Sequence, residues 1–153
     1  MSAMICEISD HIATITLNRP DRMNTISSAM LDELTRTLVA VNENPEVRVV
    51  ILTGTGRAFC AGLDLNEASS GEGIGGKDRR PPETIDLRNT PPTVLFAMDK
   101  PVICALNGSA AGYGMDLALG CDIRIMADSA KLAAAFVKRG VVPESGEIGR
   151  ASC

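Results

Sequence analysis

Two short stretches place glycine and other small residues directly after apolar runs, where the backbone itself could do chemistry. The first is RAFCAGLDL, residues 57–65, and the second is GSAAGYGMD, residues 108–116. Small residues let a ligand approach the main chain, and the N–H groups at a helix start carry a partial positive charge. Two such N–H groups that converge on one point would form an oxyanion hole, which holds a carbonyl oxygen as it gains negative charge.

The same two stretches could instead be turns whose small residues only let helices pack closely. A single stretch of this kind favours the packing role, because short motifs have low specificity. Two of them in one chain, each after an apolar run, favour the oxyanion hole.

Other kinds of chemistry find less support in the sequence. The chain has a single histidine, His11, and five cysteines without a CxxC pair, so no metal site is expected. Cys60 is expected to be a small packing residue rather than a nucleophile. The run GEGIGG, residues 71–76, fits GxGxxG but does not follow a strand, so we expect no dinucleotide cofactor.

The composition indicates one globular domain. The 153 residues are 45% hydrophobic and 22% charged, with a net charge of −4 and only 3% aromatic residues. This mild acidity argues against a nucleic-acid partner, and no apolar run reaches the length of a membrane span. The odd number of cysteines and the lack of a secretory leader predict a cytoplasmic location.

The elements that must position the two stretches alternate between strand and helix. Two apolar runs around Asp10 and His11 predict a hairpin, and apolar residues at helical spacing over residues 26–41 predict a helix. Ser27 or Ser28 is the expected helix cap, and VRVVILT is the next strand, which makes the opening ββαβ. This alternation predicts the α/β class.

The second half of the chain continues the alternation after an interval rich in glycine, proline and charge. We expect residues 66–90 to form a mobile loop, followed by a helix near residues 93–98. KPVICALNG and IRIMAD predict strands, and SAAGYGMDLALGCD between them predicts a helix with a glycine-rich entrance. AKLAAAF is expected to be short and extended or mixed.

Four segments together resemble the crotonase superfamily, the enoyl-CoA hydratase/isomerase family. They cover most of residues 5–146 and are ATITLNRPDRMNTIS, VRVVILTGTGRAFCAGLDL, KPVICALNGSAAGYGMDLALGCDIRI and FVKRGVVPESG. The resemblance implies a core of repeated ββα units in a spiral, an acyl-CoA thioester as substrate and no further cofactor. It also implies a homotrimer or hexamer built through a C-terminal helical region that this chain lacks.

The resemblance also implies roles for individual residues. Leu63 and Tyr113 match the two backbone donors of the family's oxyanion hole. The positions that match the family's CoA-binding segments are Arg22, Ala61, Asp64 and Leu65, together with the two donors.

The acid–base residues implied by the resemblance differ from those of a hydratase with two glutamates. Asp116 stands at the first glutamate position, but Phe136 stands at the second. Glu144 matches an acidic position found in the family's isomerases. The resemblance therefore favours double-bond isomerisation, with Glu144 moving the proton and Asp116 assisting it.

Several alternatives stay open. Asp116 could simply favour a helix N-terminus, and Glu144 could be a solvated loop residue. The chain could be a hydratase. It could also be a CoA-thioester-binding subunit without activity, or an inactive fragment.

The C-terminal residues suggest a boundary at position 146. EIGRASC, residues 147–153, is what a DNA string containing the common sequencing adapter AGATCGGAAGAGC would encode. We therefore expect residues 1–146 to form an incomplete crotonase-like core and residues 147–153 to be a non-native tail. The alternative is a natural short paralogue with a divergent tail. An uncovered apolar face on such a core would make the chain poorly soluble or inactive by itself.

Overall fold

The first half of the chain folds as the predicted ββαβ arrangement. The computed structural model describes residues 2–66 and 90–135. Within these residues the elements are β1 (Met4–Ser9), β2 (Ile12–Leu17), α1 (Ser28–Glu43), β3 (Val49–Gly54), β4 (Ala58–Cys60), α2 (Pro91–Ala97), β5 (Val102–Leu106), β6 (Ser109–Ala111), α3 (Tyr113–Gly120), β7 (Ile123–Met126) and β8 (Leu132–Ala133).

Helix α1 starts and stops where the sequence predicts. The Ser27 side chain caps the start by accepting a hydrogen bond of 3.2 Å from the Met30 amide, and Asn44 lies at the C-terminal cap. The buried side chains recur every three or four positions, so that one face packs on the sheet. They are Met30, Leu34, Leu38 and Val41.

The strands form two sheets. The larger has the order β1-β2-β3-β5-β7, and only the β1–β2 hairpin is antiparallel. The smaller is parallel, with the order β4-β6-β8. This architecture confirms the predicted α/β class.

Both candidate stretches contain a short strand that the sequence does not reveal. Residues 58–60 form β4 and residues 109–111 form β6, so the prediction of a helical entrance over residues 109–111 is wrong. The strands exist because their backbones pair with each other and with β8, which are contacts distant in sequence. Small residues carry little strand signal of their own.

Helix α2 begins slightly before the predicted position. Pro91 is its first residue and Thr90 its N-terminal cap, which suits a proline because the first helical N–H needs no intrahelical acceptor. The predicted loop, apart from Asn66 and Thr90, lies outside the described residues, and so does the predicted tail at 147–153.

One edge of the larger sheet is apolar and exposed. In β7, Ile123, Ile125 and Met126 are exposed, with 62% of Ile125 accessible to solvent. We expect these exposed apolar side chains of the edge strand β7 to promote self-association. No helix within these residues has the length and apolar character needed to cross a bilayer.

Candidate active site

The segment after β4 is held so that the Leu63 amide faces away from Ile26, its bridge partner. Leu63 forms an isolated parallel bridge with Ile26. The Ile26 amide donates to Gly62 O at 2.8 Å, and Ile26 O accepts from the Asp64 amide at 2.9 Å. When a residue in a parallel ladder bonds to both neighbours of its partner, the partner's own N–H lies on the opposite side. The Leu63 N–H therefore points away from Ile26.

The start of α3 lies close to Gly62 in this segment. Tyr113 is the first residue of α3, after Gly112, and the first N–H groups of a helix have no acceptor within the helix. A Cβ placed on Gly62 would lie 3.7 Å from the Tyr113 nitrogen and 3.0 Å from Ala111 O. The structure therefore brings the segment that carries Leu63 next to the Tyr113 amide.

Asp116 places a carboxylate inside the protein, one helical turn after Tyr113. Only 3% of Asp116 is exposed, and its amide donates to Gly112 O at 3.1 Å. Its position in the first turn of α3 puts the carboxyl group near the positive end of the helix dipole. The carboxylate and the Tyr113 amide thus belong to one rigid element.

Glu144 and Phe136 lie outside the described residues. The pairing of Asp116 with Glu144 therefore stays a prediction from the sequence.

Arginine side chains hold the Asp64 carboxylate. Arg19 Nη2 donates to Asp64 Oδ2 at 2.8 Å, and Arg22 Nη1 lies 3.4 Å from the same oxygen. The Asp64 side chain is 4% exposed, whereas that of Arg22 is 56% exposed. Asp64 thus faces inward, and Arg22 is open to solvent, where a large anionic ligand could reach it.

The environment of Asp64 changes its pKa in two opposing ways. Burial acts to raise the pKa. Hydrogen bonds from Arg19 and from the Asn66 amide, with the charges of Arg19 and Arg22, act to lower it, and the net shift is downward from 3.8. Asp64 is therefore a charged anchor for this segment at neutral pH.

Acid is expected to lower the stability of the wild-type protein by protonating Asp64. Because the folded-state pKa is lowered, the ion pair contributes stability above the ordinary value of 3.8, and this contribution is lost as pH falls below it. Asp64→Asn should be less stable at neutral pH but lose less stability on acidification. Thermal unfolding followed by circular dichroism across pH measures this. Asp32→Asn, at an exposed carboxylate on α1, is the control, and parallel pH profiles for wild type and Asp64→Asn would contradict the prediction.

Two residues important to this region were not singled out from the sequence. Arg19 is the main partner of Asp64, and Asn24 is fully buried with positive φ. The Asn24 side chain donates to Thr55 O at 2.9 Å and Ala58 O at 2.8 Å, and it accepts from the Arg19 amide. The sequence signal for Asn24 was the polar run around Pro20, because a buried asparagine can form hydrogen bonds with the backbone groups of several loops.

The remaining predicted residues lie around the same segment. Cys60 is fully buried, and burial raises the pKa of its thiol to about 12, so it stays protonated and suits the predicted packing role. The Ala61 amide donates to Met23 O at 3.0 Å, and Leu65 is 55% exposed. Among the described residues, no cluster of three potential metal ligands occurs.

The sequence matches the Enoyl-CoA hydratase/isomerase family over residues 7–151. It is 40% identical over 146 residues to the 1,2-epoxyphenylacetyl-CoA isomerase of Escherichia coli K12, covering 95% of this chain and 55% of that protein. It is 37% identical over 139 residues to the (E)-benzylidenesuccinyl-CoA hydratase of Thauera aromatica, covering 86% of this chain and 50% of that protein.

A solved structure confirms the likeness of fold. The crystal structure of an enoyl-CoA hydratase from Bacillus anthracis superposes with a TM-score of 0.81 at 34% identity, covering 98% of this chain and 57% of that one. The chain thus spans about half the length of these relatives. The match over nearly the whole sequence, together with the crotonase-like fold, shows that the chain belongs to the enoyl-CoA hydratase/isomerase family.

Proposed function

We propose that the whole protein acts on an acyl-CoA thioester and stabilises its enolate with the backbone amides of Leu63 and Tyr113. The observation that carries the proposal is the contact between Gly62 and the start of α3, where a Gly62 Cβ would lie 3.7 Å from the Tyr113 nitrogen. The isolated bridge to Ile26 directs the Leu63 N–H away from Ile26. Two donors on one thioester oxygen would lower the energy of the enolate strongly.

The proposed reaction moves a double bond along the acyl chain. A carboxylate, Glu144, takes the proton from the carbon next to the thioester carbonyl. The electrons of that C–H bond form the enolate, and the carbonyl π pair moves onto the oxygen held by the two amides. In the resulting dienolate the π pair of the original double bond, between carbons 3 and 4, takes the proton back from Glu144 at carbon 4. The enolate π pair becomes the new double bond between carbons 2 and 3, the oxygen lone pair re-forms the carbonyl, and no co-reactant is consumed.

Asp116 assists this carboxylate from α3. Its burial and its place one turn after Tyr113 put a carboxyl group in the interior beside the proposed oxyanion hole. A buried carboxylate so close to the helix start would hold a proton or a water in a defined position. Isomerisation is favoured over hydration by two glutamates because Phe136 stands at one of the two expected positions.

CoA is proposed to bind along the segment that follows β4, at Ala61, Asp64, Leu65 and the two amides. Leu65 and Arg22 are exposed there, so an apolar surface and a guanidinium lie open to a long anionic ligand. Arg22 would contact the CoA phosphates, since a guanidinium pairs well with phosphate oxygens.

Hydration is the second candidate reaction. Asp116 supplies an acidic residue at the first glutamate position, and the relatives named above include both an isomerase and a hydratase. The two reactions differ in whether water is added to the substrate.

One experiment separates the candidates. The whole protein is incubated with a 3-enoyl-CoA and, separately, with a 2-enoyl-CoA, and the products are separated by chromatography and weighed by mass spectrometry. Hydration adds the mass of water to the 2-enoyl-CoA, whereas isomerisation converts the 3-enoyl-CoA into a 2-enoyl-CoA of the same mass that elutes separately. Isomerisation that is lost in Glu144→Ala but kept in Asp116→Asn supports the proposal, whereas hydration favours the second candidate. Thioester binding without turnover would indicate a non-catalytic CoA-binding subunit, and neither binding nor turnover would indicate an inactive fragment.

We also propose a cytoplasmic location and assembly of the whole protein as a homotrimer or hexamer. Free thiols at Cys6, Cys60, Cys104 and Cys121 suit a reducing compartment. Size-exclusion chromatography with light scattering measures the assembly.

A further inference from the structure

Arg19 joins two chain segments with a single side chain. Its Nη1 donates to Thr25 O at 2.7 Å, and its Nη2 donates to Asp64 Oδ2 at 2.8 Å. Its own amide is held by Asn24 Oδ1 at 2.8 Å. Arg19 is thus held at its backbone amide and at both terminal nitrogens of its guanidinium.

The two segments that Arg19 joins are the two sides of the bridge around Leu63. Three backbone hydrogen bonds join residues 23–26 to residues 61–64. These are Ala61 N to Met23 O at 3.0 Å, Ile26 N to Gly62 O at 2.8 Å and Asp64 N to Ile26 O at 2.9 Å. Three bonds over so few residues are easily frayed without further support.

We infer that Arg19 is a positioning residue that sets the direction of the Leu63 amide by locking Asp64 and Thr25 together. This inference rests on the proposed function, because it assigns that amide a role in catalysis. Asp64 follows Leu63 directly, so a rotation of the Asp64 backbone would turn the peptide planes beside the proposed donor. A misplacement of about 1 Å at such a donor is enough to cost about a hundredfold in rate.

Arginine suits this task better than another cation. Its planar fork reaches a carbonyl and a carboxylate at the same time, whereas a lysine ammonium is a point charge on a flexible stem. Arg22 is not equivalent, because it lies 3.4 Å from the same carboxylate oxygen and its side chain is 56% exposed. An exposed ion pair of this length contributes little to the stability of the fold.

The variants for the test are Arg19→Gln, Arg19→Lys and Lys100→Met. Lys100 is a matched structural control, because its Nζ donates to Val41 O and Asn44 O at the end of α1. It lies just before the first residue of β5, at the other end of that strand from the β5–β6 connection that leads to the candidate site.

Enoyl-CoA turnover is expected to separate the two arginine variants from the control. Arg19→Gln should lower kcat about tenfold to a hundredfold and change KM less than about twofold, because the amide acts on the enolate. Arg19→Lys should recover part of kcat by keeping Asp64 paired. Lys100→Met should lower the unfolding midpoint but leave kcat unchanged.

Amide hydrogen exchange of Asp64 by NMR gives a readout that does not need turnover. Arg19→Gln should speed this exchange about tenfold, and Lys100→Met should not. If wild type turns over substrate and Arg19→Gln keeps its kcat, the inference is overturned while the proposed function stands. If wild type shows no turnover, the proposed function fails and the exchange of the Asp64 amide alone tests the inference. Faster exchange in Arg19→Gln than in wild type supports the role of Arg19 in holding this segment, and unchanged exchange overturns it.

Discussion

Replacing Gly62 with alanine is expected to lower the kcat of enoyl-CoA turnover about a hundredfold to a thousandfold, the loss typical of one oxyanion donor. The new methyl would lie 3.7 Å from the Tyr113 nitrogen and 3.0 Å from Ala111 O. An acceptor oxygen needs to come within about 3 Å of that nitrogen, so the methyl competes with the substrate for the same space. Steady-state kinetics with the substrate identified for the wild-type chain measure the effect.

Gly62→Ala also strains the backbone, because φ at this position is 105°. Gly56→Ala controls for backbone strain together with a tight Cβ contact, since φ there is 81° and the added Cβ meets only Pro20, at 3.0 Å. Both variants should lose about 1–2 kcal/mol of stability. Only Gly62→Ala should lose activity, and an active Gly62→Ala would remove the support for a donor pair at Leu63 and Tyr113.

The opening of the fold could be predicted because its signals are local. The spacing of buried apolar residues over α1 and the cap at Ser27 both act within a few residues of each other. The β1–β2 hairpin follows from two apolar runs separated by Asp10 and His11, whose positive φ values allow the tight turn. These elements need no knowledge of distant parts of the chain.

The strands β4 and β6 could not be predicted, because their cause is distant in sequence. Each has only three residues, and no alternation of polar and apolar side chains marks them. They pair because Gly108 lets the backbone of Arg57 approach, where a Cβ would lie 2.1 Å from Arg57 O. A glycine in the sequence suggests a turn as readily as a close approach of two backbones.

The candidate site was predicted in the same uneven way. The roles of Leu63, Tyr113 and Asp116 came from the resemblance to the family, which rests on motifs whose members lie close together in sequence. The structure places the Leu63 segment beside the start of α3. Arg19 was missed because its contact with Asp64 spans 45 residues. A long-range ion pair has no periodic signature, and the exposed Arg22 in the same run matched the family pattern instead.

Gly114→Ala is expected to destabilise the protein by about 3 kcal/mol, the upper range for overpacking. A Cβ at Gly114 would lie 2.2 Å from Cys60 O and 2.8 Å from both Cys60 C and Cys60 Cβ. The main obstacle is backbone, which cannot swing aside as a side chain can. Helix α3 would have to move away from β4, and the Tyr113 amide would move with it. Urea unfolding followed by circular dichroism measures the loss.

Gly120→Ala is the matched control because it lies in the same helix. Its Cβ would meet Leu95 Cδ1 at 3.3 Å, the far end of a side chain that can yield. Alanine is favoured over glycine within helices by about 1 kcal/mol, so Gly120→Ala should stay within about 1 kcal/mol of wild type. A Gly114→Ala variant equally stable would mean that α3 and β4 can separate freely. The start of α3 would then be too loosely held to present an amide to a thioester oxygen, and a preorganised oxyanion hole could not be assembled from these two elements.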